Sequence, residues 1–187
     1  VTFGMNDSGY FEYNGDKPKE FGEQKYQESI KNYQQMEKRF KDLPDTRIVM
    51  VGTSPYDETV QLKENTPFKT KNETIKRLVE YQKESAAKNN WEFTDLNAPM
   101  TAINQQYQQK DPTFTLCGSD RIHPDNDGHM VMAYLYLKAQ GFAGREVADV
   151  QIDAAKAKVL KAGNCEITGL HKSTVHRLLG AMMERGY

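Results

Sequence analysis

A carboxylate and an imidazole stand close together in the second half of the chain. Asp120 and His123 are three residues apart, and Pro124 follows directly as a suitable first residue of a helix. A carboxylate within reach of an imidazole can fix the tautomer of the ring and stabilise the imidazolium, which is half of a nucleophilic triad. The same spacing also arises by chance, when a capping aspartate precedes a surface histidine.

A second motif, Gly4-Met5-Asn6-Asp7, follows a run of β-forming residues at positions 1–3. Taken alone it has a simple alternative, because Gly, Asn and Asp are the ordinary residues of a polar loop after a strand. Its position matters because parallel sheets collect functional groups at the carboxyl ends of their strands. Whether the two motifs can act together therefore depends on the strands and helices on which they lie.

Strands and helices are predicted to alternate along the chain. Strands are predicted at residues 1–4, 46–52 and 91–96, and the first of them is expected to be buried. Apolar residues at spacings of three and four predict helices at 22–41, 72–88, 98–109 and 124–140, with Asn72 and Asn97 as N-caps. This alternation indicates βαβ units and a parallel sheet. The continuous apolar run in 46–52 indicates a strand buried on both faces.

The last part of the chain has a different character. Two segments, VADVQID and KVLKAGNCEI, predict the strands of a β-hairpin, and an amphipathic helix is predicted at residues 173–185. We therefore predict an α/β domain over residues 1–141 and a hairpin-plus-helix appendage over residues 142–187.

Taken together, the two motifs resemble those of the SGNH hydrolase family, the GDSL-type esterases and lipases. The resemblance extends over roughly residues 1–140. It implies a flavodoxin-like three-layer α/β/α sandwich with a parallel sheet, of which the first strands are absent from this chain. It also implies that Asn6 donates its side-chain amide to an oxyanion hole, and that Asp120 and His123 are the acid and base of a Ser-His-Asp triad.

One part of the family pattern is missing. The nucleophile of these hydrolases belongs to a Gly-Asp-Ser turn upstream of Gly-x-Asn-Asp, and the 187 residues contain no Gly-Asp-Ser. A second oxyanion donor, a glycine, also precedes residue 1 in that pattern. We therefore expect the chain to begin in the third strand of the sheet and to be inactive without an upstream segment of the same protein. Ser8, Ser54 and Ser119 are internal alternatives, but none has the strand, sharp turn and helix of a nucleophile elbow.

Aromatic residues near Asn6 indicate the class of substrate. The rings of Tyr10, Phe11 and Tyr13 could stack on the apolar faces of a sugar, and Tyr56 follows the second predicted strand. Tyr10 and Tyr56 are accordingly candidate substrate-binding residues, and a carbohydrate O-acetyl ester is the predicted substrate. In the alternative, the loop is fastened by its own aromatic side chains. The resemblance also allows a lipase or thioesterase that hydrolyses other acyl esters.

Two other classes of function stay open. A degenerate SGNH-like fold could bind carbohydrate without cleaving it, and the motifs could be coincidental in an α/β interaction domain. The joint presence of Asn6, Asp120 and His123 favours the enzyme, because a site without catalysis has no chemical reason to keep all three.

Composition excludes several kinds of partner. Lys and Arg total 25 against 26 Asp and Glu, so the net charge of −1 favours neither nucleic acid nor an anionic membrane. The two cysteines and four histidines show no spacing typical of a disulfide framework or a zinc site, so no cofactor or metal is expected. The expected partners are a small-molecule or carbohydrate ester and the upstream segment. Resemblance to polysaccharide esterases favours an extracytoplasmic location.

Overall fold

The sheet predicted from the sequence consists of three strands. The computed structural model describes residues 1–64 and 66–171, and its elements in chain order are β1 (Thr2–Phe3), a 3-10 helix (Phe11–Asn14), α1 (Pro18–Lys41), β2 (Val49–Gly52), α2 (Lys71–Lys88), β3 (Glu92–Asp95), α3 (Asn97–Gln108), α4 (Asn126–Ala139), β4 (Asp149–Asp153) and β5 (Lys158–Gly163). The first three strands lie in the order β1–β2–β3, and both pairs are parallel. Val51 of β2 pairs with Thr2 on one side and Thr94 on the other. The predicted α/β fold with a parallel sheet is confirmed.

The central strand β2 is covered on both faces. Met50 lies in an apolar cluster with Tyr33 of α1 and Ala86 of α2. The next residue, Val51, packs against a different cluster that contains Met100 of α3. Successive strand residues point to opposite faces, so a strand that is apolar on both needs helices on each side. The apolar run in the sequence predicts that β2 is buried on both faces, and this prediction is confirmed.

The strand β1 is less buried than predicted. Phe3 is 48% exposed, and Val1 just before the strand is exposed as well. Among the described strands, only β2 pairs with β1. The prediction of a buried strand rested on residue type, and residue type does not determine how many neighbours a strand has.

Two helices are capped differently from the prediction. Thr70 and Leu96, not Asn72 and Asn97, occupy the N-cap positions of α2 and α3. The carboxylate of Glu58, from the loop after β2, accepts hydrogen bonds from the N–H groups of Thr70 (3.0 Å) and Asn72 (2.5 Å). An acidic group also suits the positive end of the helix dipole. Because the capping group comes from a distant loop, the sequence of the helix itself could not predict it.

The described part of the chain divides into two compact units. The first, Val1–Phe142, contains the three-stranded sheet, and the second begins at Ala143. In the second unit β4 and β5 form an antiparallel hairpin, with an irregularity between Gln151 and Ile152, so the predicted hairpin is confirmed. The helix predicted at 173–185 lies outside the described residues. None of the described helices is long and apolar enough to cross a membrane.

Candidate active site

The two carboxylate oxygens of Asp120 bind different groups. Oδ1 accepts hydrogen bonds from the backbone N–H groups of Ile122 and His123, both at 2.9 Å, and so closes the turn. Oδ2 lies 2.6 Å from Nδ1 of the His123 ring. Partial burial opposes ionisation of Asp120, but the hydrogen bonds from His123 and Ile122 outweigh it and hold the carboxyl pKa below its usual value. The carboxylate therefore stays ionised at neutral pH and orients the ring.

The ring of His123 is open to solvent. Its side chain is 82% exposed. Because Nδ1 faces the carboxylate, the neutral ring carries its proton on Nδ1 and presents the lone pair of Nε2. An exposed imidazole in this tautomer can take a proton from a hydroxyl group, which is the step that general-base catalysis requires.

The turn around this pair depends on two residues with left-handed backbones. Gly118 has a φ of +63°, and a Cβ atom there would lie 2.6 Å from the carbonyl oxygen of His123. Arg121 has a φ of 67°, and its side chain is buried. The guanidinium donates hydrogen bonds to the backbone oxygens of Asp57 (3.0 Å) and Val60 (2.8 Å). A glycine and a buried arginine thus hold the carboxylate and the imidazole in place.

Asn6 lies in a tight loop at the carboxyl end of β1. The Gly4 N–H donates to Oδ2 of Asp7 (2.8 Å), and the Gly4 carbonyl accepts from the N–H of Ser8 (3.0 Å). Gly4 has a φ of +133°, and a Cβ atom there would lie 3.0 Å from Cγ2 of Thr53. The glycine and the aspartate of the motif therefore shape the loop, and Asn6 is exposed on it.

Tyr10 fixes the amide group of Asn6. Its hydroxyl donates a hydrogen bond to Oδ1 of Asn6. Burial raises the pKa of Tyr10, and the charges of Asp120 and Asp7 raise it further, so the hydroxyl keeps its proton. With Oδ1 engaged, the N–H donors on Nδ2 are what the amide can offer a ligand.

The two motifs come together in the folded chain. Met5, next to Asn6, and Ile122, next to His123, pack against the same apolar cluster, which includes Ile75. The charge of Asp120 raises the pKa of the Tyr10 hydroxyl, which also indicates that Asp120 lies near the loop of Asn6. An amide donor and an oriented imidazole therefore belong to one region of the molecule.

The aromatic residues predicted to bind substrate lie in different environments. Phe11 is 80% exposed, and its ring centroid lies 5.7 Å from that of Phe68 in an edge-on contact. Tyr10 is half-buried and makes a similar contact with Phe68. Tyr56 is 1% exposed, stacks on Phe68 and accepts a hydrogen bond from its N–H (2.9 Å). The structure thus buries Tyr56 in the core instead of exposing it at the surface. Residue type alone does not separate a ring that binds ligand from a ring of the core.

Two charged side chains near the site, Lys71 and Arg121, are buried, which the sequence analysis does not predict. Nothing in the residues around Arg121 predicts that its side chain is buried. For Lys71, which is fully buried, the sequence does contain a signal. Lys71 precedes Ile75 by four residues and Leu78 by seven, so it falls on the apolar stripe of α2.

The two cysteines are unpaired. Cys117 is buried, and burial together with the charge of Asp57 raises the pKa of its thiol to about 12, which makes it a poor nucleophile at neutral pH. Cys165 is exposed. Within residues 1–64 and 66–171, no group of three or more His, Cys, Asp or Glu residues is placed to hold a metal ion.

The chain belongs to the GDSL-like lipase/acylhydrolase family, whose model matches residues 1–131. Among solved structures, a gut microbial diltiazem-metabolizing enzyme is 76% identical with a TM-score of 0.78, and the match covers 90% of this chain. The same match covers 38% of that enzyme, so this chain spans well under two thirds of its length.

Two structures of esterase mutants from Geobacillus share the fold at low sequence identity. One, an acetylxylan esterase from Geobacillus stearothermophilus, is 19% identical with a TM-score of 0.54 and is matched over 76% of this chain and 58% of its own. The other, an acetyl-xylooligosaccharide esterase, is 20% identical with a TM-score of 0.55, over 78% of this chain and 60% of its own. The IclR helix-turn-helix domain model matches residues 165–187. No significant match was found among curated proteins.

Proposed function

We propose that this chain supplies the acid, the base and one oxyanion donor of a serine ester hydrolase. The observation that carries the proposal is the 2.6 Å contact between Oδ2 of Asp120 and Nδ1 of the exposed His123 ring. Membership of the GDSL-like family supports it. The hydrogen bond from Tyr10 to the amide oxygen of Asn6 supports the role of the Asn6 N–H groups as oxyanion donors.

In the proposed reaction, Nε2 of His123 accepts the proton of a serine hydroxyl while the serine oxygen attacks the ester carbonyl carbon. Asp120 stabilises the imidazolium, and Nδ2 of Asn6 donates to the oxyanion. When the tetrahedral intermediate collapses, the C–O bond to the alcohol breaks, and the imidazolium gives its proton to the departing oxygen. Water then attacks the acyl-serine with His123 as base, which releases the carboxylic acid and restores the serine.

The serine of this reaction is proposed to lie in a Gly-Asp-Ser segment outside the 187 residues. Ser8 is fully buried, and its hydroxyl contacts the Met5 carbonyl (2.8 Å) and Nζ of Lys71 (2.7 Å). Ser54 is buried as well. Ser119 is exposed, but it lies in a turn rather than between a strand and a helix.

The proposed substrate is an O-acetyl ester of a carbohydrate. Phe11 supports this proposal because it exposes an aromatic face close to the loop of Asn6, where a sugar could stack. The fold that this chain shares with an acetylxylan esterase is consistent with the same class. The 76% identical relative metabolizes diltiazem, so diltiazem is a second compound to test.

The need for a separate serine is tested by comparing two forms of the protein. The 187-residue chain is expected to show no turnover of 4-nitrophenyl acetate, because His123 has no serine hydroxyl to deprotonate. The chain extended by its Gly-Asp-Ser segment is expected to be active, and a Ser→Ala change in that segment is expected to abolish the activity. Full turnover by the 187-residue chain would show that an internal nucleophile is used. Binding of acetylated xylo-oligosaccharide without hydrolysis by the extended chain would favour a binding module.

The role of Asn6 predicts a second result. Asn6→Ala in the active enzyme is expected to lower kcat by about 10²- to 10³-fold, as the loss of one oxyanion donor does, with a small change in KM. The matched control is Asn14→Ala, an exposed asparagine in the neighbouring 3-10 helix, which is expected to keep wild-type kcat. Steady-state kinetics on 4-nitrophenyl acetate measures both, and an unchanged kcat in Asn6→Ala would exclude the oxyanion role.

A further inference from the structure

The ammonium group of Lys71 is fully enclosed beneath the loop that carries Asn6. Lys71 is the first residue of α2, and its side chain is 0% exposed. Its Nζ donates to the carbonyl of Met5 (3.0 Å), to Oγ of Ser8 (2.7 Å) and to the carbonyl of Gly9. An ammonium group has three N–H donors, and these three acceptors use all of them.

Aromatic rings surround the same ammonium group. Nζ lies 4.0 Å from the ring centroid of Tyr10 and 5.9 Å from those of Tyr13 and Tyr56. A cation over an aromatic face is attracted by the ring quadrupole, most strongly where water is excluded. Lys71 thus holds the loop in place through hydrogen bonds. It also holds the side chain of Tyr10 in place through a cation–π contact with the tyrosine ring.

The buried position works against the charge of Lys71. Burial lowers the pKa of Lys71 to about 7, while the nearby carboxylate of Glu58 acts in the opposite direction. Burying an ammonium group is costly. A methionine would fill the same volume but could not donate to the carbonyls of Met5 and Gly9, so the charge holds the loop rather than only filling space.

We propose that Lys71 is a positioning residue that aims the amide N–H groups of Asn6 at the oxyanion. The proposal rests on the proposed function of Asn6. The carbonyls that Lys71 binds belong to Met5 and Gly9, which stand on either side of Asn6 in the loop. The ring that it holds belongs to Tyr10, whose hydroxyl fixes the amide oxygen of Asn6. Both contacts therefore act on the orientation of one side chain.

The contact between Lys71 and Ser8 has another interpretation, in which the lysine activates Ser8 as a nucleophile. The geometry disfavours it, because Ser8 is fully buried and its hydroxyl is engaged by the Met5 carbonyl. Ser8→Ala is therefore expected to lower kcat no more than Lys71→Met does, far less than the loss of a nucleophile would. A loss as large as that from removing a nucleophile would overturn the positioning role in favour of a Ser–Lys pair.

The test is a double-mutant cycle between Lys71 and Asn6 in the active enzyme. Lys71→Met is expected to lower kcat by about 10- to 100-fold, the size of effect that misplacement of a catalytic group causes, with little change in KM. If Lys71 acts through Asn6, the double variant has the kcat of Asn6→Ala alone. Losses that multiply in the double variant, or wild-type kcat in Lys71→Met, would overturn the proposal. Lys83→Met, which removes an exposed lysine of the same helix, is the matched control and is expected to change nothing.

A second variant and a second readout keep the test decisive. Tyr10→Phe retains the ring over Lys71 but removes the hydroxyl that binds the Asn6 amide. As a single substitution it is expected to lower kcat. When it is combined with Asn6→Ala, it is expected to cause no further loss. The ¹H–¹⁵N signals of the Asn6 side-chain amide, assigned by their loss in Asn6→Ala, are expected to shift in Lys71→Met and to stay in place in Lys83→Met. If the wild-type enzyme is inactive on esters while this shift occurs, the proposed function fails and the positioning role stands. If the signals do not move, the positioning role fails.

Discussion

Replacement of His123 by alanine in the active enzyme is expected to lower kcat on 4-nitrophenyl acetate by about 10⁴- to 10⁶-fold. In the proposed reaction the imidazole accepts the proton of the nucleophile and returns it to the leaving group, so His123→Ala would remove the proton carrier from both halves of the reaction. The oxyanion donor is untouched, and hydrolysis above the rate in water is expected to persist. KM is expected to change little, because in the proposed reaction the ring meets the reacting atoms rather than the remote part of the substrate.

The matched control for this substitution is His129→Ala. His129 is an exposed histidine of α4, six residues further along the chain, and no catalytic role is proposed for it. It is expected to keep the kcat of the wild type. A wild-type rate in His123→Ala, or an equal loss in both variants, would contradict the assignment of the base.

Asp120→Asn is expected to lower kcat by about 10⁴-fold. An asparagine side chain can still accept hydrogen bonds from the N–H groups of Ile122 and His123 through its oxygen, so the turn is expected to survive. The NH₂ group would then face Nδ1 of His123. A donor at that position stabilises the tautomer with its proton on Nε2, which cannot act as the base. The loss should therefore appear in kcat without a matching fall in the thermal unfolding midpoint.

Asp127→Asn provides the comparison for Asp120→Asn. Asp127 is exposed in the first turn of α4, close in sequence and with the same change in charge. It is expected to leave kcat unchanged. If both substitutions reduce kcat equally, a general electrostatic effect is responsible and the specific role of Asp120 is wrong. If Asp120→Asn unfolds the protein, the two oxygens do not have the separate roles described above.

Much of the fold follows from periodicity in the sequence. The run of apolar residues that includes Met50 and Val51 predicts a strand buried on both faces, because each face of β2 must meet its own apolar cluster. The parallel sheet and the hairpin follow from the same kind of local pattern. The exposure of Phe3 does not follow from a local pattern, since it depends on which strands lie beside β1.

The candidate site also has a part that the sequence predicts and a part that it does not. Asp120 and His123 are three residues apart, so their contact depends mostly on a local turn that the sequence reveals. The capping of α2 by Glu58 and the contacts of Lys71 depend on loops that are far apart in sequence. The burial of Tyr56 belongs to this second group, because an aromatic side chain suits both the core and a sugar-binding surface. Contacts within a short turn can therefore be predicted from the sequence, whereas contacts between distant loops cannot.

The left-handed backbone of Arg121 makes a short turn depend on distant residues. A residue with a side chain resists this conformation locally, at a cost on the order of 1–2 kcal/mol. The conformation is held by the backbone oxygens of Asp57 and Val60, which lie 64 and 61 residues upstream. Asp120, Arg121 and His123 are neighbours in sequence, yet the turn that holds them is completed by a loop that lies more than 60 residues upstream.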